Sequence, residues 1–462
     1  MVTISREQGA VTAARPGTPP GPPPPRTPTP GPRYLRVLAT PVRAVSVSVL
    51  GVLLMALVGA GAPNDHTVAV RLPLSVLPPL SGSTSTLVMC CAIAAQALGL
   101  LGMLGAMRRG WRPGVPRLFA AGAAAVALCS SLAPIGSADV ASYAAYGRIA
   151  ALGADPYRVS PADLGGGYAQ LVSPSWLHAP SVYGPLATWI QQAAATVGGD
   201  RPWLTIWLLL LANAAAFLAT GLLLVRVARD GNRAALLWVA NPILIGQLVA
   251  GGHLDTFVAL LAAAALAVSR RAATWHRDAT VGVLLGLACC LKVSTGLVVA
   301  GVVVALLLER DRARALRLSA AAALTVVALY AGYGLHALAP LGAAAHLVSV
   351  PSLWQAVQQL GDSTVGGALT DAVIGVAWPV VTIVVARRLR PRLPRATPLV
   401  VGIPFVLSLA WVLAAPWSMP WYTAVSWLCA AVLPRNALVG WLLAATTFLA
   451  LMHNTGGRGW AW

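Results

Sequence analysis

Acidic residues are scarce in this chain of 462 residues: 13 Asp and Glu stand against 32 Lys and Arg, and charged side chains make up only 10%. A water-soluble domain carries roughly 25% charged residues, so an ordinary soluble globular protein is excluded. Strand-like alternation of apolar and polar residues is missing, which excludes a β-barrel, the other backbone arrangement that satisfies its own polar groups in lipid. Lysine occurs once, at Lys292. The six cysteines, including Cys90-Cys91 and Cys289-Cys290, lie in apolar runs without metal-ligand spacing and read as small core residues. No internal repeat is visible. Residues 1–36, rich in proline and glycine, show neither periodicity nor an apolar core like that of a signal peptide, and read as a disordered cytoplasmic tail.

What is present is hydrophobic: 58% of the residues. The apolar runs, most near the roughly 20 residues that cross a bilayer as a helix, predict an all-α polytopic transmembrane bundle over 37–462. About 13 spans are expected, near 44–62, 84–106, 118–136, 203–226, 234–250, 255–269, 279–291, 295–308, 316–338, 371–386, 397–415, 422–433 and 437–452. The net charge of +19 does not call for a nucleic-acid partner, because the arginines cluster at the ends of these runs. With the N-terminus inside, 26 of 31 arginines fall on the cytoplasmic side and only Arg71, Arg148, Arg158, Arg201 and Arg458 outside. The segment 137–202, with a helix expected at its start, then lies outside as the catalytic loop, and Tyr183 to Val197 is placed there with it.

Four outer segments concentrate polar chemistry. Asp139, Tyr143 and Tyr146 recur at i, i+4 and i+7, so on a helix they share a face. A carboxylate flanked by rings suits a general base acting on a sugar hydroxyl; equally, an Asp at a helix start suits a cap. Asp155, Tyr157 and Tyr183 follow in Asp155-Pro-Tyr and Tyr183-Gly-Pro, with Arg148 and Arg158 as nearby cations. The second segment is Gly251-Gly-His253-Leu-Asp255, whose His and Asp can converge on one ligand or form a mere polar turn. The third holds Lys292 at the apex of two short spans. An intramembrane cation is costly unless paired, so an anion-binding role is the default, against a lysine that snorkels to the interface. The fourth, Pro416-Trp-Ser-Met-Pro-Trp421-Tyr422, carries Trp417, Trp421 and Tyr422, either sugar platforms or part of the aromatic belt.

Taken in order, Asp139, Gly-Ala-Asp-Pro-Tyr157, Tyr-Gly-Pro185, Asn241-Pro, Gly-Gly-His-Leu-Asp255, Leu-Lys292 and Pro-Trp-Tyr422 resemble the actinobacterial polyprenol-phosphate-mannose-dependent α-1,6-mannosyltransferases, membrane glycosyltransferases of the GT-C type, over about residues 40–450. The resemblance implies transfer of mannose from a polyprenyl-phosphate-mannose donor to an α-1,6-mannan (lipomannan-type) glycolipid, at the outer face of the plasma membrane. Asp139 matches the family's catalytic aspartate. The assignment expected from residues and resemblance together has Lys292, Arg148, Arg158, His253 and Asp255 at the donor phosphate, and Tyr143, Tyr146, Asp155, Tyr157, Tyr183, Trp417, Trp421 and Tyr422 at sugar and acceptor. No cofactor is expected, and a divalent metal is not favoured, although Asp139, His253 and Asp255 could converge. Two departures from the family stand out: Leu254 where His-Asn-Asp is usual, and Val293 where Lys-Pro is usual. The rival readings are another GT-C transferase, with a phosphoinositol mannoside, cell-wall glycan or protein acceptor, and a lipid-linked sugar flippase or transporter. A transporter predicts paired repeats.

Overall fold

A computed structural model describes residues 40–270, 274–349 and 352–455. The Pro-rich tail, Arg271 and Arg458 lie outside the described residues. Among those described the architecture is all-helical, with one isolated bridge, Thr67 to Ile135, and no strand.

The chain begins with α1 (Pro41–Ala60), α2 (Gly82–Arg108) and α3 (Val115–Ser130). The segment that follows is a packed subdomain: α4 (Asp139–Ala151), three single helical turns, and α5 (Pro185–Gly198). Then come α6 (Pro202–Val227), α7 (Gly231–Leu237), α8 (Asp255–Ser269), α9 (Trp275–Cys289), α10 (Gly296–Leu308) and α11 (Arg312–Ala331). The last third holds α12 (Leu353–Thr364), α13 (Gly367–Leu389), α14 (Leu399–Ala414), α15 (Ala424–Val432) and α16 (Leu438–Thr455).

The starts follow local chemistry. Ser81, Asp230, Thr274, Asp311 and Ser352 each accept a hydrogen bond from the backbone N–H three residues on, satisfying a donor the helix itself leaves free. Proline in the first turn of α1, α5 and α6 costs nothing, because those N–H groups have no helical partner.

Among the described residues, five helices are long and apolar enough to cross a membrane: α1, α2, α6, α11, and α13 with the turn after it. Others, including α3, α8, α14 and α16, are apolar but shorter. The expected span 234–250 is broken. Asn241 precedes Pro242, which cannot continue a helix from before it, so α7 stops at Leu237 and a new turn, capped by the Asn241 side chain, leads into a π-helical stretch at Ile245–Val249. The run 316–338 also ends early, at Ala331, before Gly332 and Gly334. The amphipathic α12 has no counterpart among the expected spans.

Turns that the arginine pattern assigns to one side do touch each other. Arg112 after α2 and Arg435 before α16 both lie within ion-pairing distance of Asp230 after α6, and Arg314 and Arg317 of α11 grip Asp278 at the start of α9. At the opposite end of the helices the segments holding Asp139, His253, Lys292 and Trp421 meet. There a second core forms, in which Val68, Val70 and Leu72 of the α1–α2 connection, Val140 and Ala144 of α4, Ala187 of α5 and Ile206 and Leu210 of α6 bury one another. The segment 137–202 is therefore fixed to the bundle by its own apolar contacts.

Candidate active site

Asp139 is the first residue of α4, and its carboxylate makes no capping hydrogen bond. Its own N–H is bound instead by Ser137 Oγ at 3.1 Å. The side chain is 23% exposed, which leaves part of it open to a ligand. Its place in the first turn suits an anion, because the helix N-terminus carries partial positive charge.

The turn that aims it is clamped from three sides. Ile135 N–H donates to Ala250 O at 2.9 Å, Gly136 N–H to His66 O at 2.7 Å, and His453 Nε2 donates to Gly136 O at 2.6 Å. Gly136 has φ of +78°, a conformation that L side chains rarely adopt. His453 closes the last helix, one residue past the expected span 437–452, and was not singled out from the sequence. A polar side chain ending an apolar run, the signal that drew attention to Lys292, would have found it.

Around the carboxylate, Tyr143 O–H lies 3.4 Å from Asp139 Oδ2. His253 Nδ1 lies at the same distance from that oxygen but without hydrogen-bond alignment. Burial alone would raise the Asp139 carboxyl. The His253 ring, then the charges of Lys292 and His453, outweigh it and hold the group below the usual carboxylate range. Tyr143 is pushed well above its ordinary value, by burial first and then by Tyr183 and Asp139, so its phenol stays a donor.

The second half of the site surrounds Lys292. Its Nζ binds both oxygens of Asp255, at 3.0 and 2.9 Å, and sits 3.8 Å from the centre of the Tyr422 ring. The Tyr183-Gly184-Pro185 motif holds this turn in place: Gly184 N–H donates to Leu291 O at 3.2 Å and Leu186 N–H to Cys290 O at 3.0 Å. A Cβ on Gly184 would stand 2.3 Å from the Cys290 oxygen, so only glycine permits the approach. A cleft lined by Asp255, Lys292, Thr295, Ser408, Trp411 and Tyr422 opens here. Through Val298 and Val425 it borders an apolar cavity of about 60 Å³ between α8, α10, α14 and α15.

Several expected roles meet a different geometry. Arg148 pairs with Asp200 at 2.5 Å, and Arg158 lies 3.7 Å from Asp155, whose carboxylate also holds His336 Nε2 at 2.6 Å. Neither arginine reaches Lys292, because Arg148 lies towards the far end of α4 and Arg158 beyond it. Tyr143, Tyr146 and Tyr157 are at most 3% exposed; the Tyr146 hydroxyl donates to Ala179 O and that of Tyr157 meets Thr188. Trp421 is stacked on His253, centroids 3.6 Å apart, with the His453 ring edge-on at 5.0 Å. Tyr422 has Lys292 against its ring and Trp411 stacked at 5.1 Å. These rings form the wall of the site and have no open face for a sugar. Tyr183 and Trp417, half-buried, keep partial access. Asp255 does not join Asp139 and His253 around a common point, because both its oxygens bind Lys292.

A family model described as alpha-(1->6)-mannopyranosyltransferase, N-terminal domain, matches residues 45–309, a stretch containing Asp139, His253, Asp255 and Lys292. Over 130 residues the chain is 34% identical to alpha-(1->6)-mannopyranosyltransferase A of Corynebacterium glutamicum (27% of this chain, 26% of the relative). Over 130 residues it is also 36% identical to an alpha-(1->6)-mannopyranosyltransferase of Mycobacterium tuberculosis (26% and 22%) and 34% identical to a probable one of Mycolicibacterium smegmatis (26% and 23%). The chain thus spans about a quarter of the length of the curated relatives it matches. No solved structure matches. Because the family match takes in more than half of the chain, this membrane protein belongs to the alpha-(1->6)-mannopyranosyltransferase family.

Proposed function

We propose that the protein transfers mannose from a polyprenyl-phosphate-mannose donor to a hydroxyl of an α-1,6-mannan glycolipid, at the outer face of the plasma membrane and with inversion. The observation that carries the reading is the meeting, at one end of the bundle, of the segments that hold a partly exposed carboxylate, Asp139, and the chain's only lysine, itself paired with Asp255. Asp139 takes the proton of the acceptor hydroxyl as its oxygen attacks the anomeric carbon. The bond from that carbon to the phosphate oxygen breaks, and the polyprenyl phosphate leaves with the electron pair, its growing charge met by Lys292. A single displacement turns a β-linked donor into an α-linked product.

The apolar residues beside Lys292 in its cleft, Val258, Leu297, Val298 and Val425, suit a donor carried on a lipid. Arg148 and Arg158 have no part in this mechanism, and no step calls for a metal. The test is incubation of membranes with labelled polyprenyl-phosphate-mannose and short α-1,6-mannoside acceptors, followed by linkage analysis. A new α-1,6 linkage, formed by the wild type and not by Asp139→Asn, is expected. Transfer only from a nucleotide sugar, or none to any mannoside, would overturn the reading.

A further inference from the structure

Lys292 is already engaged. An ammonium has three N–H donors, and here two carboxylate oxygens at 2.9 and 3.0 Å occupy one side while the Tyr422 ring, 3.8 Å away and backed by Trp411, covers another. A phosphate that enters this arrangement meets the Asp255 carboxylate beside the ammonium and competes with it for the cation. The Asp255 side chain is 11% exposed and that of Lys292 14%, so neither has bulk water to fall back on.

We infer that Asp255 is an internal stand-in for the donor phosphate: it holds the Lys292 ammonium in the empty site, yields it to the incoming lipid phosphate, and takes it back when the product leaves. The inference rests on the reading above that Lys292 meets the leaving phosphate. Three features carry it. Asp255 is in the first turn of α8, where the helix N-terminus stabilises a carboxylate that has lost its cation. The cation is the one lysine in a chain of 31 arginines. An arginine fork would lock on to the carboxylate through two parallel hydrogen bonds, whereas an ammonium on a flexible stem can swing between anions. Finally, the two residues sit on separate segments, the start of α8 and the α9–α10 turn, so a small swing of the lysine stem parts them without disturbing a helix.

Asp255 on this account is a positioning and release residue that repels the phosphate, in contrast to the donor-binding role expected from the sequence. Removing its charge should tighten the complex. A carboxylate within about 5 Å of the phosphate at an effective dielectric near 20 opposes binding strongly enough that Asp255→Asn should bind polyprenyl phosphate about tenfold or more tightly than the wild type. The donor KM falls, and kcat falls too, because product release becomes limiting.

The experiment measures binding of a polyprenyl monophosphate to the full chain in lipid nanodiscs, with the uncharged polyprenol as control. Expected is tighter phosphate binding by Asp255→Asn, weaker binding by Lys292→Met, and unchanged polyprenol binding by both. Equal or weaker phosphate binding by Asp255→Asn, alongside a loss in Lys292→Met, overturns the stand-in role and leaves the phosphate role of Lys292 intact. Equal binding by wild type and Lys292→Met overturns both. Should Asp255→Asn not be recovered folded, Lys292→Arg decides: locked by Asp255, it should bind the phosphate more weakly than the wild type despite its charge, and binding as tight or tighter overturns the inference.

Discussion

Replacing Gly184 with alanine would bring a methyl carbon to 2.3 Å from the Cys290 oxygen, 2.6 Å from its carbonyl carbon and 2.9 Å from its Cα. All three are backbone atoms, so no side chain can swing aside. Ordinary contact begins at about 3.5 Å, which means the α5 entry and the turn before Lys292 must separate by about 1 Å. That shift breaks the Gly184 N–H bond to Leu291 O, already 3.2 Å, and strains the Leu186 bond to Cys290 O. Overpacking of this kind costs about 1–3 kcal/mol of stability. Since Lys292 is the next residue along, a misplacement of about 1 Å at the leaving group should lower turnover by about 100-fold. The assay is mannose transfer by purified protein in nanodiscs, with thermal unfolding measured on the same sample. Gly440→Ala is the control, because a Cβ there meets nothing within 4 Å. Turnover of Gly184→Ala within threefold of the wild type, or an equal loss in Gly440→Ala, would refute the claim that this close approach sets the position of Lys292.

Asp139→Asn should insert normally and lose about 10² to 10⁴ in rate, the usual contribution of a general base; wild-type turnover would remove Asp139 from the chemistry. Because the Asp139 carboxyl is held below its ordinary range, the wild-type kcat/KM should stay level as pH falls through that range, with the acid limb lying lower. The same depression stabilises the fold above the unfolded carboxyl's value, and that share is lost only as pH drops through the folded one. His253→Gln, which removes the first of the opposing influences, should move the acid limb upward, and an unmoved limb would deny the coupling. His453→Phe keeps a ring against Trp421 but takes the donor from Gly136 O; about 1–3 kcal/mol of stability and about tenfold in kcat should go, with donor KM unchanged, whereas a loss confined to KM would contradict its role in aiming Asp139. For orientation, in a background lacking the exposed Cys91, cysteine at the exposed Ser175 should react with an impermeant thiol reagent on spheroplasts and cysteine at the exposed Ala313 only after lysis; the reverse pattern would invert the topology.

How much of this was legible in the chain depended on what each residue type can be used for. In a chain with 10% charged residues an ionisable group next to an apolar run has few structural uses, and Asp139, His253, Asp255 and Lys292 were all found on that ground. Their grouping at one end of the bundle followed from the arginine pattern, since turns on a common side are the ones free to touch. Partners were another matter. Lys292 and Asp255 are 37 positions apart, and their contact depends on how α8 packs against α9, which no local spacing records. The aromatic residues were read least well, for a physical reason: a ring carries as much apolar area as any side chain, so beside an external core it is buried as readily as it is offered to a sugar. Tyr143, Tyr146, Tyr157 and Trp421 took the first course.

The partners of two arginines in the segment 137–202 were likewise not read from the sequence. Arg148 and Arg158 stand among the few cations that the pattern leaves outside, and scarcity there was read as function; but Asp200 and Asp155 lie in the same segment, and each arginine has one of them in reach, the half-buried Arg148 on the exposed Asp200 and the exposed Arg158 on Asp155. An exposed pair costs almost nothing to make or break, so its presence records little. A pair such as Lys292 and Asp255, with side chains only 14% and 11% exposed, has little water to replace either partner, so an anion of comparable strength is what parts it most readily. On the reading proposed above, the leaving phosphate of a lipid-linked sugar is such an anion, and that reading is what gives the chain's single lysine its place in the reaction.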